Sequence, residues 1–300
     1  MDHDVPAGHD VTSGTGEDAT RRYYDSSDVD AFYDAVWGGD DIHTGIYAHA
    51  QEPIADASRR TVERLADRLG DRLKDGLGPG RLVLDLGSGY GGTARYLAGR
   101  FGCRVVALNL SAAQNERHRH TNVERGLDGL IEVVTASFHD VPYSDAHFDA
   151  VCSLESFCHS DDRARVLSEA VRVLKPEGAL AFTDLMAAED TPPAALRPAV
   201  SRLGVDALAT PSFYVRQLTE LGLDHVDFDD HSDQLANHYV RLTDETAKRQ
   251  AELRGVISPA YLDRLLGNLP LWVSAAHKRQ LRWGIFSGRR AIGDQVPGAY

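Results

Sequence analysis

Three glycines spaced by two, Gly87, Gly89 and Gly91, follow an aspartate in the run Arg81-Leu-Val-Leu-Asp85-Leu-Gly87-Ser-Gly89-Tyr-Gly91-Gly92-Thr-Ala-Arg95. Residues of these types in this order can cradle a nucleotide. Glycines let backbone N–H groups come close to a ligand, and a helix starting behind them aims its unpaired N–H groups the same way. The dinucleotide fingerprint G-x-G-x-x-G needs its third glycine one residue later, a position that Gly92 occupies. Asp85 narrows the choice of ligand, because a carboxylate beside the glycines repels a pyrophosphate and favours a ligand with a cationic amino-acid part. A second chemical group is Glu155 with His159. The two lie one turn apart if the stretch is helical and could then take a proton; alternatively, His159 caps a helix starting at Asp161.

Elements with the right periods surround these residues. Leu82, Val83, Leu84 and Leu86 form an apolar run broken by Asp85, as expected of a strand buried on both faces of a parallel sheet. Strand and helix then alternate: helix over 94–101, strand over 103–108 ending at Asn109, a helix capped by Ser111 and running to about Arg125, strand over 130–135. A strand over 148–153, a helix from Asp161, a turn over 174–178 and a strand over 179–184 follow. Five such alternations predict a doubly wound α/β fold with a parallel sheet. Upstream, Ser26-Ser27 precede a helical pattern of Val29, Phe32, Tyr33, Val36 and Trp37, and an amphipathic helix spans 52–73. Downstream come a loop or lid helix over 186–210, a helix over 211–221, a sixth strand over 223–228, helices over 232–277 and a final edge strand over 281–286. The expected organisation is a disordered tail over 1–20 and one domain over 21–290. Within that domain lie a cap (21–75), a cofactor-binding core (81–230), a helical lid (231–280) and the edge strand (281–290), with a second tail over 291–300.

Composition sets outer bounds. Three hundred residues suffice for one large domain with a full core, and the sequence has no run of ~18 apolar residues that would span a membrane. The chain carries a net charge of −13, and four of its thirty-two basic residues are lysine, so no extended basic surface for nucleic acid is expected. Aspartate outnumbers glutamate, which fits either a salty cytoplasm or a codon bias towards Arg, Asp, Gly and Ala. Three scattered cysteines without C-x-x-C argue against a disulfide framework or a thiolate metal site, so a reducing cytoplasm and no bound metal are expected.

The spacing D-x-G-x-G-x-G resembles motif I of the S-adenosylmethionine-dependent methyltransferases. Over about 23–290 the chain resembles more closely the sarcosine/dimethylglycine N-methyltransferases of glycine betaine synthesis. The runs that carry this are Trp37-Gly-Gly-Asp-Asp-Ile-His43-Thr-Gly45-Ile-Tyr47, Val83-Leu-Asp-Leu-Gly-Ser-Gly-Tyr-Gly-Gly92, Leu108-Asn-Leu-Ser111, His159-Ser-Asp-Asp-Arg163 and Trp283-Gly284. More distantly it is similar to the phosphoethanolamine methyltransferases, whose Tyr and acid/His pair match Tyr24, Glu155 and His159. The resemblance implies a class I, Rossmann-like methyltransferase with a seven-stranded sheet, S-adenosylmethionine as donor and a small amino acid amine as acceptor, working as a monomer or homodimer. It implies donor contacts from Asp85, Gly87, Gly89, Gly91, Asn109, Leu110, Gln114, Ser137, Phe138, Trp37, His43 and Leu154. Catalytic roles fall to His159, Glu155 and Tyr24.

A quaternary ammonium product makes no N–H bonds, and aromatic faces such as Tyr24, Trp37, Phe157 and Tyr239 are its natural partners. The substrate carboxylate calls for a donor, for which His238, Tyr239, Arg241 and Arg163 are candidates. One departure stands out: betaine-forming relatives read roughly Ser-Gln-Asp-Ala-Ile-Leu-His where this chain has Ser153-Leu-Glu-Ser-Phe-Cys-His159. That changes the wall between donor and acceptor at Leu154 and Glu155. A natural-product N- or O-methyltransferase would keep the same cofactor half and alter that wall. A dehydrogenase would use the same glycine turn, but the acid that commonly binds its ribose is replaced here by Asn109.

Overall fold

The computed structural model describes residues 26–37, 40–200 and 207–292. Tyr24, the 1–20 tail and most of the 291–300 tail lie outside the described residues. The chain enters through α1 (Ser27–Trp37) and α2 (Ile54–Arg72), and the doubly wound core follows. That core is built from β1 (Leu82–Leu86), α3 (Gly92–Phe101), β2 (Arg104–Asn109), α4 (Ala112–Glu124), β3 (Ile131–Thr135), β4 (Phe148–Leu154), α5 (Arg163–Arg172) and β5 (Leu174–Ala187). Then come α6 (Pro193–Val200), α7 (Pro211–Glu220), β6 (Leu223–Asp230), α8 (Gln234–Lys248), α9 (Gln250–Leu253), α10 (Pro259–His277) and β7 (Leu281–Arg290).

Strand order is β3-β2-β1-β4-β5-β7-β6, with β7 antiparallel to both of its neighbours. β1 lies inside the sheet between β2 and β4, and its alternating side chains feed two cores. Val83 joins Val105, Ala150 and Ala181 against Val62, Leu65 and Leu69 of α2 and Leu97 of α3. Leu84 and Leu86 face the other way, with Val106, Val151, Leu180 and Phe182 against Val166 and Leu167 of α5 and Leu218 of α7. A third cluster forms the roof, where Val29, Phe32 and Val36 of α1 meet Leu235, Tyr239 and Leu242 of α8 and Leu262, Leu265 and Trp272 of α10. The apolar stripes of α1, α2 and α5, which the sequence had marked by period, contribute to these three clusters.

Three expectations are corrected. The 281–290 segment is an interior strand rather than an edge, since it lies between β5 and β6 and buries Trp283, Ile285 and Phe286. The edge on that side is β6, whose Asp224, Asp227 and Asp230 are exposed, and acids along an edge deter pairing with another strand. The 174–178 segment, expected as a turn, is taken into β5 by a register slip opposite Phe148–Ala150, with Glu177 at φ +61°. Finally, no α-helix joins Glu155 to His159. Phe157–His159 is a single 3₁₀ turn, and α5 begins two residues past Asp161 with Asp162 as its cap.

Candidate active site

One cavity opens at the carboxyl ends of β1, β2 and β4, under the α1 and α8 roof, and encloses about 1370 Å³ including its mouth. This is where the helix N-termini and strand ends of a doubly wound sheet converge on a ligand. Its floor is the glycine turn. Gly87, Gly89 and Gly91 have φ of +74°, +51° and +84°, which suits residues without a Cβ. The Gly87 and Ser88 N–H groups donate to Leu108 O at 2.8 and 3.1 Å, which fastens the turn to β2. A Cβ on Gly87 would lie 2.4 Å from that of Ser156, whereas one on Gly89 would meet nothing. Gly87 and Gly89 therefore differ: the first is packed, the second leaves room. Gly91 caps α3, lies against the His118 ring and is set back from the cavity wall.

Asp85 lies beneath this floor, 2% exposed, with Oδ2 unpartnered. Burial raises its carboxyl to about 7, opposed by a hydrogen bond with Cys152, while Asp41 pushes it higher. Asn109 and Gln114 line the adjoining wall. Asn109 Nδ2 donates to Gln114 Oε1 at 3.0 Å, so the side-chain carbonyl of Asn109 is the group left to accept a ribose hydroxyl; Gln114 Nε2 is buried without a partner. Leu110, Ser137, Phe138 and Leu154 complete this half. Ser137 Oγ accepts from the His139 backbone N–H at 3.0 Å, and the imidazole of His139 reaches Ser160 Oγ at 2.7 Å. A glycine floor that leaves room, an orphaned buried carboxylate and an orphaned amide suit a nucleoside carrying a cationic amino acid.

The other half is built around Glu155. The residue directly follows β4 and has φ +51°, a left-handed conformation that costs a non-glycine residue about 1–3 kcal/mol and is held here by its contacts. Its Oε1 accepts from Thr44 N at 2.8 Å and from Trp283 Nε1 at 3.1 Å, and its Oε2 from Thr44 Oγ1 at 3.0 Å. Burial raises this carboxyl to about 7 against those three hydrogen bonds, with Asp184 adding repulsion. Among the described residues, no ion pair reaches it. His159 lines the same cavity but takes its place from the 3₁₀ turn, its N–H bonded to Ser156 O, and the expected helical pairing with Glu155 is absent.

The roof supplies Trp37, His43, His238 and Tyr239. Trp37 Nε1 donates to His43 O at 3.2 Å, and its ring lies 5.9 Å from that of His238. Tyr239 stacks on Trp272. His238 Nδ1 takes the Gly45 N–H at 3.3 Å, which places the ring proton on Nε2. Burial, with Arg59 nearby, lowers His43 to about 3, so its imidazole is neutral.

Three expected substrate contacts lie elsewhere. Phe157 is wholly buried behind Phe138, with Phe182 on its other side. Arg163 donates to Cys158 O and Ala207 O, tying the 3₁₀ turn to the loop before α7. Arg241 pairs with Glu245 along α8. Each is consumed by structure, and none lines the cavity. Sequence reasoning overlooked Thr44, His139 and Tyr33, which do line it, and Trp283, which reaches Glu155 from behind. Thr44 and Trp283 lay inside two of the resemblance runs, which was the available signal.

A methyltransferase domain model matches residues 84–182. A sarcosine/dimethylglycine N-methyltransferase from Halorhodospira halochloris is 50% identical over 273 residues, covering 91% of this chain and 96% of the relative. A dimethylglycine N-methyltransferase from Parasynechococcus marenigrum is 44% identical, covering 93% and 99%. Among solved structures, one from Galdieria sulphuraria described as a sarcosine dimethylglycine methyltransferase superposes with TM-score 0.84 at 34% identity, covering 91% of this chain and all of that one.

Proposed function

This chain belongs to the sarcosine/dimethylglycine N-methyltransferases and is an S-adenosylmethionine-dependent enzyme, and from that premise we propose that it methylates sarcosine and dimethylglycine to glycine betaine. The observation that carries this reading is the 50% identity along nearly the whole of both chains, since it spans the acceptor half and the roof as well as the cofactor half. When bound, S-adenosylmethionine supplies an electrophilic sulfonium methyl. The Gly87–Gly89 floor, Asp85, Asn109, Ser137 and Phe138 would hold it, Asp85 offering a carboxylate to its amino group, Asn109 a carbonyl to the ribose and Ser137 and Phe138 a polar and an apolar contact to the adenine.

Methyl transfer needs an acceptor nitrogen with a free lone pair, so the ammonium of the incoming amino acid must lose a proton in place. Glu155 is suited to hold that ammonium, being a desolvated carboxylate whose partners among the described residues are neutral donors. A carboxyl poised near 7 also accepts the proton at neutral pH. His159, on the same wall, is the second group proposed to bind or relay it. His238, with its proton on Nε2, is proposed to donate to the substrate carboxylate, and Trp37 and Tyr239 to face the methylated nitrogen, at roughly 0.5–2 kcal/mol per ring. Tyr33, Trp37, Tyr239 and Leu242 of the roof line this cavity, a largely apolar cover that would limit water at the reacting nitrogen.

The test is product mass from purified enzyme with the donor and glycine, sarcosine or dimethylglycine in separate reactions. Betaine from dimethylglycine is expected. Donor binding without methylation of any of the three would overturn the acceptor and point to a different amine or hydroxyl fitted to the wall at Leu154 and Glu155.

A further inference from the structure

Two N–H donors from distant elements meet at one oxygen of Glu155. Trp283 Nε1 comes from β7 and the Thr44 amide from the loop before α2, and both point at Oε1. An N–H can only donate, so Oε1 must remain an acceptor. Oε2 has a different partner: the Thr44 hydroxyl, at 3.0 Å, which can donate to an ionised carboxylate or accept from a protonated one. The indole is itself fixed from behind, because the Trp283 N–H donates to Ser232 Oγ at 3.0 Å, its carbonyl takes the His231 N–H, and the ring is wholly buried.

We propose that Trp283 and Thr44 are positioning residues that make Glu155 a one-sided proton acceptor: Trp283 holds Oε1 as a permanent acceptor, and the Thr44 hydroxyl reverses when Oε2 takes the proton. The step is a proton transfer alone. The acceptor ammonium loses H⁺ to Oε2, its N–H bonding pair becomes the free lone pair, and the Thr44 O–H turns to present its oxygen. This rests on the reading of Glu155 as the group that receives the amine. Titratable and charged groups surround Glu155 on every side: Asp184 of β5, Cys158 and His159 of the 3₁₀ turn, His43 of the loop before α2 and His238 of α8, with Arg163 beside Asp184.

The indole N–H donates to Oε1 in both states but bonds the ionised carboxylate more strongly than the neutral acid, so Trp283→Phe should move the acid limb of kcat/KM for dimethylglycine upward by about one pH unit. Activity at pH 7 then falls about fivefold and returns towards wild type above pH 8. Thr44→Val removes a partner that serves both protonation states and should move the limb by less than half as much. A rate lowered equally at all pH values in Trp283→Phe, or a larger shift in Thr44→Val, would overturn the proposal. A second measurement needs neither a variant nor an acceptor. In wild-type protein labelled with ¹⁵N-tryptophan, one indole N–H resonance should titrate with a midpoint near 7. Absence of any such titration would equally overturn it. If the resonance titrates but dimethylglycine is not methylated, the positioning stands and the acceptor assignment fails.

Discussion

Two carboxylates and one imidazole are the groups proposed to carry most of the chemistry, and their environments differ. Asp85 is sealed under the glycine floor with one oxygen unpartnered, so its natural complement is a cation arriving from above. Burial holds its proton until about pH 7, and a cationic amino group favours the ionised form. Donor affinity should therefore rise several-fold, roughly eightfold, between pH 6 and 7.5, below the titration of the donor's own α-amino group. Calorimetry at the two pH values checks this, and in Asp85→Ala the affinity should be weaker and the dependence flat; unchanged affinity in that variant would remove Asp85 from the donor site. His159 sits on the acceptor wall instead. His159→Ala should bind the donor normally and lose at least tenfold in turnover, as expected when a proton-handling group is deleted. Normal turnover in that variant would leave Glu155 to act without it.

At the scale of elements, the strand–turn–helix unit of β1 and α3 divides its labour between two glycines. Gly87→Ala brings a Cβ within 2.4 Å of Ser156 at a φ of +74°, and overpacking together with backbone strain should destabilise the protein by about 1–3 kcal/mol. Gly89→Ala puts its Cβ into open space and carries backbone strain at φ +51° without the overpacking, so it should destabilise less than Gly87→Ala and weaken donor binding more. Urea denaturation and calorimetry on the two variants separate the effects; equal losses of both kinds in both variants would contradict the division. This unit was legible in the sequence because everything that defines it is local: an apolar run, glycines at fixed offsets and a helical segment, all between Leu82 and Phe101. The position of β7 was not, because strand order in a sheet is a long-range property, and a segment's apolar content does not say which two strands it separates. The same limit hid the environment of Glu155. Its indole partner lies 128 residues away and its threonine 111, and the two meet only once β7 has inserted beside β5. The supposed helix from Glu155 to His159 failed for a local reason: a residue at φ +51° cannot continue a right-handed helix.

The molecule as a whole is strongly acidic, at −13, and its basic residues are nearly all arginine, several of them paired with specific acids. Arg60 grips Glu52 at 2.7 Å, Arg172 grips Glu169 at 2.8 Å, and Arg68 grips Asp229 at 2.6 Å. Added salt therefore acts in two opposing ways. It weakens exposed pairs such as Arg117–Asp34, each worth about 0–1 kcal/mol, and it screens repulsion among the acids left over, including the exposed row on β6. The second effect should win. Excess charge is spread over the whole surface, and screening contracts from roughly 10 Å at 0.1 M salt to about 3 Å at 1 M. The expected outcome is a Tm that rises with sodium chloride over that range, by an amount that shrinks when Asp224 and Asp227 are replaced by asparagine. A Tm that falls with salt would mean that the arginine pairs, rather than the surplus of acids, dominate the surface energetics.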